Sequence, residues 1–466
     1  MSATRSQPGR AALVRDLQRE LPDLEWIGDT PRVSRMSQDF SWFSPVLKRK
    51  LQGKVGDVVV RPQSEAQVKA VVSACARRAL PVTVRGSGTG NYGQITPLDG
   101  GVILDLGRLD GLKWLRDGVA CAQAGIRLSE LERHAQHEGM ELRCLPSTYR
   151  SATLGGLFGG GFGGIGSINH GPLASTGNVL AVRVMSVEAE PQVVELRGDE
   201  ALAFHHLWGT NGIVLELEVA LAPALPWVEC LFVFEDAGRG DGFERGLRLA
   251  DRLAQAPGII KRELAFFGAP VPDHLAALAA WLPRGCHTVL AMLAPSALQA
   301  ASALAQAHGG VLAYRKTRDE VLASRRTLME YTWNHTTLHA LKVDPTLTYL
   351  QTGFVAGRHV EQVLEMEAML SGEVMMHVEF LRNMEGAMTC SGLPLVRFTT
   401  EERLAEVMAL HRGREVRVND PHTHIIEEGK AGGSLPAGAL QAKQRFDPHG
   451  LLNPGKLRDF PVEKAA

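Results

Sequence analysis

VVVRPQSEAQVKAVVSACARRALPVTVRGSGTGNYG, residues 58–93, sets a strand, a helix, a second strand and a glycine loop in immediate succession. The β-branched run Val58-Val59-Val60 stops at Pro62, which cannot donate to a sheet ladder. Ser64 opens a helix with a capping box, because Gln67 sits three residues on and can reach back to the cap. Val68, Val71, Val72 and Cys75 follow at i, i+3, i+4 and i+7, which predicts one apolar face. Pro81-Val82-Thr83-Val84 is a second strand that runs directly into RGSGTGNYG, and another strand, Val102–Leu106, follows.

Upstream, residues 1–50 are mixed and turn-rich, with a helical stretch at 10–20 and an aromatic cluster of Phe40, Trp42 and Phe43. Downstream, Ser129–His137 reads as a helix closed by Gly139. Residues 155–171 then carry nine glycines in seventeen positions. Strand patterns follow at Val179–Val187, Val193–Leu196 and Ile213–Leu221, and Pro223 and Pro226 mark a boundary. Beyond it the texture changes to strand 228–234, helix 243–255, strand 259–267, helix 273–281, strand 288–293 and helix 296–307. That rhythm predicts a separate α+β domain with helices on one face of a sheet.

The whole-chain figures narrow the function class. Fifty basic against 51 acidic residues leave a net charge of −1, without the basic field of a dedicated nucleic-acid binder. With 45% hydrophobic and 22% charged residues among 466, disorder is excluded as the dominant state. No stretch approaches the roughly 20 apolar residues of a membrane span. The N-terminal residues lack the apolar core of a signal peptide, so a cytoplasmic protein is expected. The six cysteines (75, 121, 144, 230, 286 and 390) form no CxxC pair and are expected to be reduced, mostly buried thiols.

Forty-nine glycines are about one residue in ten, against a typical ~7%. Two windows formally match GxGxxG, Gly88–Gly93 and Gly159–Gly164. The Rossmann reading needs a helix directly after the glycines to receive the pyrophosphate, and neither window is followed by one. No Gly-Lys-Ser/Thr is present, so a Walker A loop fails as well. What remains is a pair of loops rich in backbone N–H groups and able to adopt positive φ, a nest that holds phosphate without a helix. Tight turns alone would also use glycine, but two clusters beside strands favour a nucleotide cofactor.

Residues 58–90 resemble the first half of the FAD-binding domain of the vanillyl-alcohol oxidase/p-cresol methylhydroxylase superfamily. LPSTYRSATLGGLFGGGFGGIGSINHGPLASTGNVLAVRVMS (145–186) is similar to its second half. WGTNGIVLELEVAL (208–221) resembles the closing strand and FDPHGLLNPGKL (446–457) the C-terminal return, so the matches cover about half of the chain in order. The resemblance implies an α+β fold with a two-part FAD-binding domain of the p-cresol methylhydroxylase type, plus an α+β cap domain with an antiparallel sheet. It implies that Arg85, Gly86, Ser87, Gly88, Thr89 and Gly90 form a first loop on the pyrophosphate. Pro146, Ser147, Thr153, Gly155, Gly156 and Gly160 line the second, followed by His170. Gly212 and Ile213 fall where the family's backbone meets the flavin side, and Asn453 and Lys456 where the chain returns to the cofactor. Thr89 stands where some members attach FAD through histidine, and Cys144 is out of register with the cysteine others use. Non-covalent FAD is therefore expected, with attachment through a histidine of the other domain left open.

Flavin chemistry of this kind needs a base near the substrate O–H and groups that hold an anion. Three stretches of the second domain are candidates. Tyr331, His335 and His339 lie four apart and share a face if helical. His377 and Glu379 alternate on a strand, and His422 and His424 would point the same way from an extended segment. With 16 histidines in the chain, any single one is more often a surface or satisfied core residue than a catalytic one. HxH at 422–424 without a third ligand does not make a metal site, and none is predicted. Arg325, Arg326, Lys342 and Arg397 are further carboxylate-holding candidates, although such residues are mostly solvated.

The expected organisation is an FAD-binding domain over 1–224, a substrate/cap domain over 225–425 and a segment 426–466 returning to the first. The expected activity is oxidation of a CH–OH group of a small molecule, a 2-hydroxy acid first. The His-x-Gly-Asp-Gly-Asn-x-His stretch usual in D-2-hydroxy-acid relatives is absent, which weakens that assignment. An oxidase or dehydrogenase of a phenolic or other alcohol, and a nucleotide-binding protein without turnover, are the alternatives. The electron acceptor and any homo-oligomerisation are left open.

Overall fold

The computed structural model describes residues 7–236, 240–458 and 460. The first six and last six residues of the expected FAD-binding parts thus lie outside the described residues. The strand–helix–strand reading of 58–93 is observed. Val58–Arg61, Val102–Asp105 and Val82–Arg85 are parallel neighbours in that order, with Glu25–Ile27 antiparallel at the edge. Helix Glu65–Arg77 lays Val68, Val71, Val72 and Cys75 on Val58, Val60, Val102 and Leu104, while Val59 and Ile103 point to the opposite face with Ile27 and Val33. Ser64 caps this helix by accepting from the Gln67 N–H. The other half of the capping box is shifted by one residue: the Gln67 side chain takes the N–H of Gln63, 2.7 Å away, instead of that of Ser64.

The free edge of Val82–Arg85 is closed by residues from the far end of the chain. The Val82 N–H donates to Leu451 O and the Asn453 N–H to Val82 O, both at 2.8 Å. An antiparallel sheet follows, in the order Leu112–Arg116, Val119–Gln123, Ile213–Pro223, Val179–Met185, Val193–Arg197, with Met140–Leu142 pairing the end of Ile213–Pro223. Pro223 therefore lies inside the closing strand, at its last paired position.

Residues beyond it build an eight-stranded antiparallel sheet. Its order is Val311–Lys316, Val228–Phe234, His287–Leu293, Lys261–Phe267, His377–Arg382, Met388–Gly392, Gln351–Gly353, Arg417–Asn419. Helices Gly242–Gln255, Leu298–Ala307, His359–Leu370 and Glu401–Arg412 cover one face, over Cys230, Phe232, Phe234, Leu264 and Phe266. The alternate residues Leu231, Val233, Ala265 and Phe267 are just as buried, under Phe43, Tyr331, Leu341 and Tyr349. Both faces are thus packed, which is why the central strands read as unbroken apolar runs.

The helix expected at 273–281 is not formed. The chain instead makes two short 3-10 turns, Val271–His274 and Ala276–Leu278, separated at Leu275 by a non-helical φ −92° and ψ 62°. They still bury Val271, Leu275, Leu278 and Leu282 on the sheet. All six cysteines are free and buried. No helix among the described residues is long and apolar enough to cross a membrane.

Candidate active site

The two glycine loops meet. A Cβ on Gly86 would stand 2.3 Å from Thr153 Oγ1, and one on Gly155 would stand 2.7 Å from Ala124 Cβ. Gln94 ties the loops together: its side chain donates to Gly160 O at 2.9 Å, and its Oε1 occupies the place a Gly90 Cβ would need. Part of the glycine demand is therefore loop-on-loop packing. Gly88 adds a second reason, with φ +69°, a region that side chains rarely adopt.

Among the described residues, the backbone N–H groups of Ser87, Gly88, Thr89 and Gly90 have no acceptor in the protein. Four successive unclaimed donors are what an anion-binding nest requires. The Arg85 guanidinium lies against the loop, its Nη1 2.4 Å from where a Gly88 Cβ would stand, and donates to Met36 O, Gln38 O and Ser87 O.

The second glycine cluster contains a helix that the sequence reading did not predict. Thr153 caps Leu154–Gly160 by accepting from the Gly156 N–H at 3.1 Å. Phe158 O and Gly159 O then take the N–H groups of His206 and Trp208. Ser147 is buried beside half-buried Pro146, and a single turn, Ser167–His170, follows the glycines. Burial pushes His170 down to about 4. Gly212 has φ +151° and passes against Val184 and Phe204, leading into buried Ile213.

Asn453 joins these pieces. Its side-chain N–H groups donate to Gln94 O at 2.7 Å and Trp208 O at 2.8 Å. Lys456, fully buried, donates to Gly93 O at 2.6 Å, and burial pulls its ammonium down to about 7. Asp39 is the carboxylate facing it, and it also accepts the Gln94 N–H at 2.8 Å.

The candidate catalytic side chains fall into three places. His422 Nδ1 pairs with Ser44 Oγ at 2.8 Å, its ring lies edge-on to Tyr349, and its Nε2 is buried without a partner. The segment 420–424 is a turn, because Asp420 accepts the His422 N–H; the extended segment expected there is not formed. His424 is half-buried with Nδ1 unpartnered. Ser44 leads back through Phe40, whose N–H donates to Gly90 O, to the first loop.

Tyr331 and His339 stack at 4.7 Å, with His335 edge-on to His339. No single helix carries them: Tyr331 ends a 3-10 turn, Trp333 breaks the chain at φ +50°, and helix Asn334–Val343 holds the histidines. The Arg150–Glu330 ion pair at 3.0 Å joins this group to the second loop. His377 and Glu379 do share a side, with Nε2 2.7 Å from Oε1, but both are wholly buried in the sheet.

Sequence reasoning missed Asp39, Gln94, Tyr92 and Trp208. Tyr92 stacks on Trp208 at 5.5 Å and its hydroxyl meets Gln351. Only Tyr92 and Gln94, just after RGSGTG, carried a local signal.

A family model described as FAD binding domain matches residues 56–195. Residues 56–195 are an FAD binding domain. They include both loops and the unclaimed N–H groups of 87–90, and FAD is the cofactor. The chain is 27% identical over 211 residues to the glycolate oxidase subunit GlcD of Escherichia coli strain K12, covering 44% of this chain and 41% of that protein. It is 27% identical over 178 residues to the D-lactate dehydrogenase of Archaeoglobus fulgidus, covering 36% and 39%. An uncharacterized oxidoreductase of Rhodococcoides fascians is 36% identical over 129 residues, 28% of each chain. The chain thus matches well under half the length of these curated relatives. A solved structure of alkyldihydroxyacetonephosphate synthase superposes with a TM-score of 0.67 over 98% of this chain and 86% of that one, at 16% identity. The fold is accordingly the FAD-binding fold of the p-cresol methylhydroxylase type with an antiparallel-sheet cap.

Proposed function

We propose that this FAD-binding protein is an oxidoreductase that oxidises a CH–OH group of a small molecule, a 2-hydroxy acid in the first place. The observation that carries the cofactor role is the run of unclaimed N–H groups at 87–90, set against the Thr153–Gly160 loop and closed by Asn453. Neutral donors suit two phosphates of spread charge. Curated relatives named for glycolate and D-lactate support the substrate class. Residues 1–224 with 426–466 would hold FAD, and 225–425 would form the cap. Bound FAD would supply the hydride acceptor, held without a covalent bond.

A base must be unprotonated to take the substrate's hydroxyl proton. Burial pushes His422, His424 and His335 down to about 4, and lowers His339, so these imidazoles are neutral at physiological pH. His422 is the base this reading favours, because Ser44 fixes its Nδ1 and leaves Nε2 free. Lys456 and Lys50 lie on the side of His424 and would favour an anionic substrate.

The test is anaerobic bleaching of the flavin with a panel of hydroxy acids and alcohols. Bleaching by hydroxy acids is expected; bleaching by phenols or simple alcohols alone would move the substrate class, and none at all would leave a passive binder. His422→Ala should slow bleaching by at least a hundredfold while FAD stays bound, the usual worth of a general base being about 10²–10⁴. His335→Ala is the companion variant, and unchanged rates in both would remove these histidines from the chemistry. Since only the neutral imidazole accepts a proton, the wild-type rate should hold through neutral pH and fall as pH drops towards about 4. Acid precipitation should leave the yellow colour in the supernatant.

A further inference from the structure

We propose that Glu263 and Glu379 share a single proton and thereby keep Trp333 seated on the second glycine cluster, so that FAD retention falls as pH rises. The inference rests on the reading of that cluster as part of the FAD site. Glu263 lies on Lys261–Phe267 and Glu379 on the neighbouring strand His377–Arg382, with 2% and 0% exposure. Glu379 Oε1 already accepts two donors, the Trp333 N–H at 2.6 Å and His377 Nε2 at 2.7 Å. Glu379 Oε2 and Glu263 Oε1 make no hydrogen bond among the described residues, although the Trp333 indole faces Glu263 and the pairing of Ala265 with Glu379 sets the two carboxyls on one side of neighbouring strands. Two bare carboxylates cannot satisfy each other in a dry site; one proton turns one of them into the missing donor.

No neighbouring charge removes that need. Arg262, next in sequence, turns its guanidinium to Glu132 at 2.9 Å and Glu141 at 3.4 Å. His377 is held neutral by burial, at about 3. Cys144, facing Glu263 from beside the second cluster, is neutral too, its thiol pushed up to about 12. Burial and the facing carboxylate raise Glu263 well above the ordinary range, and burial raises Glu379 to about 7.

Trp333 links the pair to the loop. It adopts φ +50°, a costly conformation for a bulky residue, and Glu379 holds its N–H there. Its ring reaches to 3.2 Å from where a Gly163 Cβ would be, and the Gly166 N–H donates to Arg262 O at 2.9 Å. This is where the cap sheet meets the glycine cluster. Removing the shared proton leaves two carboxylates side by side, and their repulsion bears on Trp333 and the loop beneath it. A carboxyl whose value is raised in the folded state contributes stability at low pH and loses it as pH rises through that value.

The test measures the FAD dissociation constant of the full chain by flavin fluorescence from neutral to alkaline pH. The wild type should weaken by about tenfold, the worth of one unit of pKa difference. Glu263→Gln keeps an N–H donor for Glu379 and cannot become a second carboxylate, so its loss of affinity with pH should be smaller than the wild type's; Glu379→Gln, which removes the acceptor of the Trp333 N–H, should weaken binding at neutral pH. A flat wild-type profile, or an unaltered slope in Glu263→Gln, overturns the proposal while leaving the FAD reading intact. Failure to bind FAD at any pH would instead strike the FAD reading. The shared proton itself is read in apoprotein by infrared spectroscopy: a protonated-carboxyl band at neutral pH is expected, and its absence from the wild type overturns the proposal even if the variants do not fold.

Discussion

Asn453→Ala is expected to lower the urea-unfolding midpoint and strip FAD from the purified protein. Asn453 is 1% exposed, and its side chain is the donor for both Gln94 O and Trp208 O. Orphaning a buried acceptor costs about 1–3 kcal/mol, so losing both bonds should cost about 2–6 kcal/mol. A second penalty comes from the backbone. Asn453 sits at φ +43°, which asparagine tolerates better than alanine. The functional loss should exceed the stability loss, because Gln94 also bridges the two loops through Gly160 O. An unchanged midpoint together with undiminished flavin content would show that the return segment does not close the site.

Arg262→Met should also be strongly destabilising at neutral pH, by about 3–5 kcal/mol, the usual cost of breaking a buried ion pair from one side. Arg262 is 4% exposed and crosses from the cap sheet to Glu132 on helix Leu128–His137 and Glu141 on Met140–Leu142. Glu132 also accepts the Leu142 N–H and Glu141 the Trp227 indole, so neither carboxylate can swing to water when the cation goes. Without Arg262 the Glu141 carboxyl, already raised by burial, would titrate higher still when folded, and stability would return as pH falls and it protonates. Urea midpoints at neutral and acid pH check the sign; a loss that grows on acidification would refute it.

The local elements were legible because period and punctuation agree. Valines at helical spacing, Pro62, Ser64 and the glycine loop each specify their stretch without help from the rest of the chain. The segment 271–282 shows where that fails. Its apolar spacing is helical, but the chain leaves helical geometry at Leu275, and the same residues are buried by two 3-10 turns without a helix. Both glycine loops were legible for the same reason as the strands, through composition at one place in the chain.

The chemistry around them was not, because it is assembled from distant segments. His422 is oriented by Ser44, 378 positions away, and Tyr92 meets Gln351 across 259. Glu263 was invisible in another way: in KRELAFF it closes a run of three consecutive charged residues that opens the strand, a run that reads as solvated. Only the covering of both sheet faces makes it a buried carboxyl.

The strand contributed by Leu451 and Leu452 carries a consequence for how the protein comes into being. The side chain that joins Gln94 to Trp208 emerges from the ribosome 359 residues after Gln94, so the proposed FAD site is unfinished while the chain is still growing. Until then Val82–Arg85 is a bare sheet edge, open to pairing with any other extended chain. On the proposed reading of the site, cofactor loading and the silencing of that edge are one event, and a truncated product is expected to lose both together.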